Sequence, residues 1–314
     1  MRKPWIVGVV VGFLLLGACG DPASGPESAP PPVPQAARTS PSPTIHQRPA
    51  ATPEAEPAVE PGTAAPAKRP TVLYLGDSLA MENQKVLGGL LREELDARYT
   101  SAPYSGTTLC DYLEGTGEKS LVPPKDKAAA LVRSLRPDFV VLQFWGNAWD
   151  YTWCMDGITH DKARDKYFAR YTADARRLTD QIAGAAGGPD RPKVVWVLQG
   201  PDPITPDRVR GVNQVYERQA DASGDLVADA GKAVSPASAR YTWTQHLPCT
   251  AYEREHPQYC TQPGSGRTAL HLDDDYLHFC LAPTTPESRP CPVRSPGITR
   301  MGLAITQAIA AATS

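Results

Sequence analysis

At 314 residues the chain is long enough to bury one sizeable α/β core, and a net charge of −2 leaves no electrostatic footprint for nucleic acid. The lack of any Cys-x-x-Cys pair argues against a structural zinc. The 33 prolines are unevenly spread, and this separates a leading segment from a folded one.

Arg2 and Lys3 precede an apolar run from Trp5 to Leu16, too short for a comfortable transmembrane helix. The run ends in Leu16-Gly17-Ala18-Cys19, which resembles the lipobox of bacterial lipoproteins. That resemblance implies a signal peptide over residues 1–19, with Cys19 as the lipidated first residue. The chain would then be extracytoplasmic and held to the bacterial cell membrane by a lipid anchor. Residues 20–70 hold 14 of the 33 prolines and almost no large apolar side chain. Such a segment cannot offset its ordering entropy and is expected to be a disordered tether. Its polyproline character limits its reach to about 150 Å, at ~3.1 Å per residue.

From Thr71 onward, apolar runs alternate with helical patterns. Val72–Leu75 reads as a first buried strand and is followed at once by Gly76-Asp77-Ser78. Met81 to Arg98 reads as a helix, with Val86, Leu87, Leu90, Leu91 and Leu95 on one face. Asp126 to Arg136 is a second helix, and Phe139–Phe144 a strand apolar except for Gln143. Asp161 to Ala186 carries Phe168, Tyr171, Ala175, Leu178 and Ile182 at helical spacing. Val194–Leu198 is a strand, Pro206 to Ala220 a helix and Asp225–Ala228 a short strand. Ile298 to Ala312 closes the chain as a helix with Met301, Ile305 and Ile309 in register. Strands apolar on both faces, alternating with helices, predict an α/β fold: a three-layer αβα sandwich with a mostly parallel central sheet. In such sheets ligands bind beyond the carboxyl ends of the strands, where Ser78 and the Gly146–Asn147 pair both fall.

Thr244 to Gly297 resists this scheme. It is long, proline-rich and holds four cysteines, so it reads as a Cys-rich insertion within a domain of residues 71–314. Seven cysteines less Cys19 leave six, an even number suited to an oxidising compartment. Six allow fifteen connectivities. Sequence order suggests Cys249–Cys260 and Cys280–Cys291, which leaves Cys110–Cys154.

Acyl transfer by serine needs a base, a group that orients the base, and donors for the oxyanion. Ser78 is the candidate nucleophile; a helix cap is the plain alternative. Two histidines follow a carboxylate by three residues, a spacing that sets the two side by side on a turn: His256 after Glu253, and His278 after Asp275. His278 is preferred, because it precedes the last helix while His256 lies in the charged stretch YEREHPQY. Asp273 and Asp274 beside Asp275 read as a solvated acidic loop rather than a cation site.

Gly76-Asp77-Ser78-Leu79 after a buried strand resembles the first block of the SGNH (GDSL) hydrolase family. Asp275-Tyr276-Leu277-His278 before a terminal helix resembles its last block. Gly106 in YSGTTLCD is similar to the second-block glycine, and Asn147 in FWGNAWD to the third-block asparagine. The resemblance implies a flavodoxin-like SGNH hydrolase fold. It makes Ser78 the nucleophile, His278 the general base and acid, and Asp275 its orienting partner. The backbone N–H groups of Ser78 and Gly106, with the Asn147 side chain, would form the oxyanion hole; Asp77 would shape the turn. The family spaces its third block Gly-x-Asn-Asp, whereas here Gly146 and Asn147 are adjacent and Ala148 follows; Gln143 is the nearest rival to Asn147. Tyr276 stands where the family has glycine. No metal or cofactor is implied.

Trp145, Trp149, Tyr151 and Trp153 crowd around Asn147, and aromatic faces beside a hydrolytic site suit sugar rings as well as core packing. The function expected is a cell-surface serine esterase that hydrolyses O-acyl esters, O-acetyl first among them. An acylated small molecule or a cell-wall or capsular polysaccharide would be the substrate. An O-acyltransferase using the same triad and a non-catalytic glycan-binding lipoprotein remain the alternatives.

Overall fold

A computed structural model describes residues 69–188, 190–283 and 289–313. The signal segment with Cys19, and the tether as far as residue 68, lie outside the described residues. Among the described residues no helix is long and apolar enough to cross a membrane.

The strands of the main sheet are β1 (Thr71–Gly76), β2 (Arg98–Ser101), β3 (Phe139–Gln143), β4 (Lys193–Val197) and β5 (Leu226–Ala228). All pair in parallel, in the order β2-β1-β3-β4-β5. The helices are α1 (Ser78–Leu95), α2 (Ala128–Leu135), α3 (Arg164–Ala186), α4 (Pro206–Ser223), the short α5 (Ala230–Ala233) and α6 (Ala251–Glu255), and α7 (Pro296–Thr313). The chain steps outward from β1 to β2, then turns back across β1 to β3 and continues in that direction. Right-handed crossovers therefore put the helices that follow the reversal on the opposite face from α1. Accordingly α1 and α7 cover one face with Val72, Tyr74 and Val141, and α2, α3 and α4 cover the other with Leu73, Leu75, Val140 and Leu142. The sheet is thus the middle of three layers, as the two-sided apolar strands predict. The reversal opens a crevice between the carboxyl ends of β1 and β3, the usual ligand position in this strand order.

Two elements differ from expectation. The first helix begins at Ser78 and ends at Leu95, because Asp96 adopts a left-handed conformation (φ 51°). Arg98 then donates its N–H to Pro70 O at 2.8 Å and starts the edge strand β2 where helix was expected. The stretch from Thr244 to Gly297 also contains an antiparallel pair, β6 (His246–Pro248) and β7 (Arg267–Ala269). The disulfide Cys249–Cys260 lies beside this pair, and the buried Arg300–Glu253 ion pair (2.7 Å) fastens α6 to α7. Cys280–Cys291 closes the loop after His278, and Cys110–Cys154 joins two short 3₁₀ turns, Leu109–Tyr112 and Trp153–Met155. The three pairings are those expected from sequence order.

Candidate active site

The end of β1 fixes the candidate nucleophile. Gly76 lies opposite Gln143 of β3, and a Cβ there would meet Gln143 O at 2.1 Å and Ala80 Cβ at 2.5 Å. Only glycine lets the strand turn into α1 so tightly. Asp77 follows as the N-cap and accepts the Leu79 N–H at 3.1 Å. Ser78 is then the first helical residue and stays half-buried at the sheet edge.

The structure brings Ser78 and His278 together across 200 residues, with Ser78 Oγ 3.1 Å from His278 Nε2. Asp275 lies behind the imidazole, its carboxylate oxygens 3.0 and 3.2 Å from His278 Nδ1. The same carboxylate accepts the backbone N–H groups of Leu277 and His278, at 3.2 and 3.0 Å. One aspartate therefore sets both the turn and the ring it orients. Burial alone pulls the pKa of His278 down. The hydrogen bond to Asp275 and the charges of Glu82, Asp275 and Asp77 outweigh that and push it above its ordinary value.

Asp77 does more than cap. Its Oδ2 accepts the Trp145 N–H at 2.7 Å and Asn147 Nδ2 at 3.1 Å, so it joins the start of α1 to the chain leaving β3. Burial raises its carboxyl to about 6, against the opposing pull of the Trp145 and Leu79 N–H groups and of His278. Asn147 Nδ2 also reaches Thr107 O at 3.2 Å, and its Oδ1 accepts Trp149 Nε1 at 3.1 Å. Three partners thus fix the orientation of this amide. Among the described residues no acceptor takes the N–H of Ser78 or of Gly106. Gly106 has a φ of +74°, and the Tyr151 ring would lie 3.3 Å from a Cβ there. Glycine is favoured at that position on both counts.

Ser78, Asp275, His278, Gly106 and Asn147 all line one cavity of about 430 Å³. Met81, Leu277, Ala282 and Pro292 add apolar wall, and Trp145, Trp149 and Tyr151 add aromatic wall. The four aromatic residues of the Asn147 segment divide into two roles. Trp145 is buried beneath the Arg208 guanidinium, 3.7 Å from its ring centroid, and Arg208 is held in turn by Asp202 at 2.9 Å. Trp149, Tyr151 and Trp153 are 40, 50 and 64 % exposed and form an apolar rim, of which Trp149 and Tyr151 reach the cavity.

Other sequence candidates lie elsewhere. Gln143 is fully buried and accepts from Tyr74 Oη and Asn83 Nδ2, away from the cavity wall. His256 stacks on Tyr252, and its companion Glu253 is engaged by Arg300. Asp273 and Asp274 are exposed. Sequence reasoning missed Glu82, a buried carboxyl on the cavity wall whose pKa burial raises to about 7, against the pull of His278 and of two backbone donors. Its signal was present: four residues after Ser78 on a helix is the same face.

No family model matches the sequence, and no curated protein does. Among solved structures, the chain is similar to the acetylxylan esterase Axe2 from Geobacillus stearothermophilus: 19% identity over 52% of this chain and 77% of that one, TM-score 0.36. It is similar to LAE5, an alpha/beta hydrolase enzyme from the metagenome of Lake Arreo, at 16% identity, 78% and 94% coverage and TM-score 0.40. A G-D-S-L family protein from Desulfitobacterium hafniense aligns with 76% of this chain and 99% of its own, at 10% identity and TM-score 0.43.

Proposed function

We propose that the chain is a serine esterase that hydrolyses O-acyl esters through Ser78, His278 and Asp275. The observation that carries this reading is the hydrogen-bonded line from Ser78 Oγ to His278 Nε2 and from Nδ1 to Asp275, at the wall of a cavity. Ser78 Oγ attacks the ester carbonyl carbon while His278 Nε2 takes its proton. Asp275 holds the imidazole with Nδ1 protonated and stabilises the imidazolium that forms. The N–H groups of Ser78 and Gly106 receive the developing oxyanion. Asn147 Nδ2 is the third donor, giving up its longer bond to Thr107 O. The tetrahedral intermediate expels the alcohol, which takes the proton from His278. A water molecule, deprotonated by His278, then releases the carboxylic acid and regenerates Ser78.

The exposed Trp149, Tyr151 and Trp153 favour an acylated sugar polymer, O-acetylated above all, because aromatic faces attract the C–H faces of sugar rings. With export and lipidation at Cys19, the enzyme would act on wall or capsular polysaccharide from the membrane surface. Release of p-nitrophenol from p-nitrophenyl acetate by the purified chain tests the reading. Turnover is expected for the wild type and none above background for Ser78→Ala; equal rates would sink it. Transfer of the acyl group to an added oligosaccharide, in place of acid release, would assign the acyltransferase alternative. Polymer binding without any Ser78-dependent turnover would assign the glycan-binding one.

A further inference from the structure

We propose that Glu82 is a positioning residue of this site: its side chain fastens the segment that carries the His278 imidazole to the helix that carries the Ser78 nucleophile. Glu82 stands one turn after Ser78 on α1, so both side chains leave the same face of the helix. Glu82 Oε1 accepts the Phe279 N–H at 2.9 Å, and Oε2 accepts the Cys280 N–H at 3.2 Å. These are the two residues directly after His278. The backbone of Glu82 takes part as well, since its carbonyl accepts the Cys291 N–H at 3.1 Å. Cys291 is bonded to Cys280, so this contact holds the far side of the same closed loop.

The Ser78–His278 distance is set by two segments that are remote in sequence. Asp275 fixes the ring within its own turn. Glu82 adds two hydrogen bonds from the helix to the residues that follow the ring. Its carboxylate meets two N–H donors, which the ionised form accepts best, and charge-assisted bonds of this kind are stronger than neutral ones. The residue is buried, so its charge acts on His278 with little screening by solvent. The titratable groups that interact with it are His278 and Asp275 from the loop and Tyr74 from β1; Asp77 of the helix cap acts beside it on His278, and Arg289 shares the cavity wall. On α7, which packs against α1, Arg300 is engaged by Glu253. The negative charge of Glu82 is one of the influences that hold the His278 pKa up.

The kinetic consequence rests on the esterase reading; the structural one does not. Glu82→Gln keeps the size of the side chain, removes the charge and turns an NH₂ toward one of the two N–H donors. In the full chain, kcat for p-nitrophenyl acetate is expected to fall about 10- to 100-fold with KM little changed, the loss of one hydrogen bond to a charged group. The His278 imidazole, followed by NMR and assigned with a His278→Asn control, is expected to titrate at lower pH. Glu82→Asp keeps the charge but shortens the reach. It should restore much of the imidazole titration while leaving kcat low. Wild-type kcat with an unmoved imidazole titration in Glu82→Gln would overturn the proposal. So would a loss of kcat that follows the unfolded fraction alone, with the titration unmoved. If the wild type shows no Ser78-dependent turnover the esterase reading fails, and the imidazole titration still decides the role of Glu82. Should Glu82→Gln fail to fold, the imidazole titration and kcat of Glu82→Asp decide between the same outcomes.

Discussion

Asp77 Oδ2 accepts Asn147 Nδ2 at 3.1 Å, so the carboxylate that caps the helix beginning at Ser78 also holds the amide that follows β3. This contact spans the crevice between β1 and β3. Asp77→Asn would set a donor against the Trp145 N–H or against Asn147 Nδ2. The variant is expected to lose at least tenfold in kcat with KM little changed, and its melting temperature should fall, because a buried bond to a charged group contributes about 1.5–3 kcal/mol. Steady-state kinetics with a thermal melt on the same samples checks both. A wild-type kcat would show that Asp77 only caps the helix.

Asn147 offers a sharper test of the oxyanion hole. In the proposed mechanism the N–H groups of Ser78 and Gly106 are the other two donors, so Asn147→Ala removes one of three. Loss of one such donor typically lowers turnover by ~10²–10³-fold. An Asn147→Ala enzyme within threefold of wild-type kcat would assign the amide to holding Thr107 and Asp77 in place.

Stability should decline as pH rises through the slightly acidic range. Burial raises Asp77 from 3.8 to about 6 and Glu82 from 4.5 to about 7. Each folded value lies above the unfolded one, so the folded chain binds more protons between those values, and rising pH then favours unfolding. His278 acts in the same direction. Its stabilisation is full below its ordinary 6.5 and is lost as pH passes its raised folded value. The urea midpoint is expected to fall from pH 5 to pH 8, and to fall less in Glu82→Gln. Activity needs neutral His278 and so rises across the range in which stability falls. A midpoint that climbed with pH would contradict the assignment.

The three disulfides should contribute unequally. Cys110–Cys154 spans 44 residues, whereas Cys249–Cys260 and Cys280–Cys291 each span 11. Loop-closure entropy assigns about 4 kcal/mol to the first and about 3 kcal/mol to each of the others. Guanidinium melts of paired Cys→Ser variants measure this directly. Replacing Cys110 and Cys154 is also expected to lower kcat, since that bond joins the turn after Gly106 to the segment after Asn147.

Replacing the rim aromatics should separate polymer binding from chemistry. Trp149→Ala is expected to raise KM for an O-acetylated polysaccharide severalfold more than for p-nitrophenyl acetate. Equal effects on the two substrates would assign the ring to packing over Arg208.

The layers were legible because Val72–Leu75, Phe139–Leu142 and Val194–Leu198 are apolar on both faces and alternate with helical patterns, as a parallel sheet covered on both sides requires. The edge strand was not, because Arg98-Tyr99-Thr100-Ser101 mixes exposed and half-buried positions and begins at the residue where the helical pattern ends. Ser78, His278 and Asp275 could be singled out because each stands in a short local motif, and the structure then sets them in hydrogen-bonding range. Glu82 carried only one hint, its place one turn after Ser78. Its partners are backbone N–H groups nearly 200 residues away, which carry no side-chain signature in the sequence.

The direction in which β1 runs has one more consequence. Arg69 and Pro70 precede its amino end, while Ser78 follows its carboxyl end, so the strand's length, roughly 20 Å at ~3.3 Å per residue, lies between them. A lipid anchor at Cys19, as proposed above, would join the domain at the end of β1 opposite the one that leads to Ser78. Such an attachment would leave the Ser78 end of the strand free to meet large insoluble material that cannot diffuse to it.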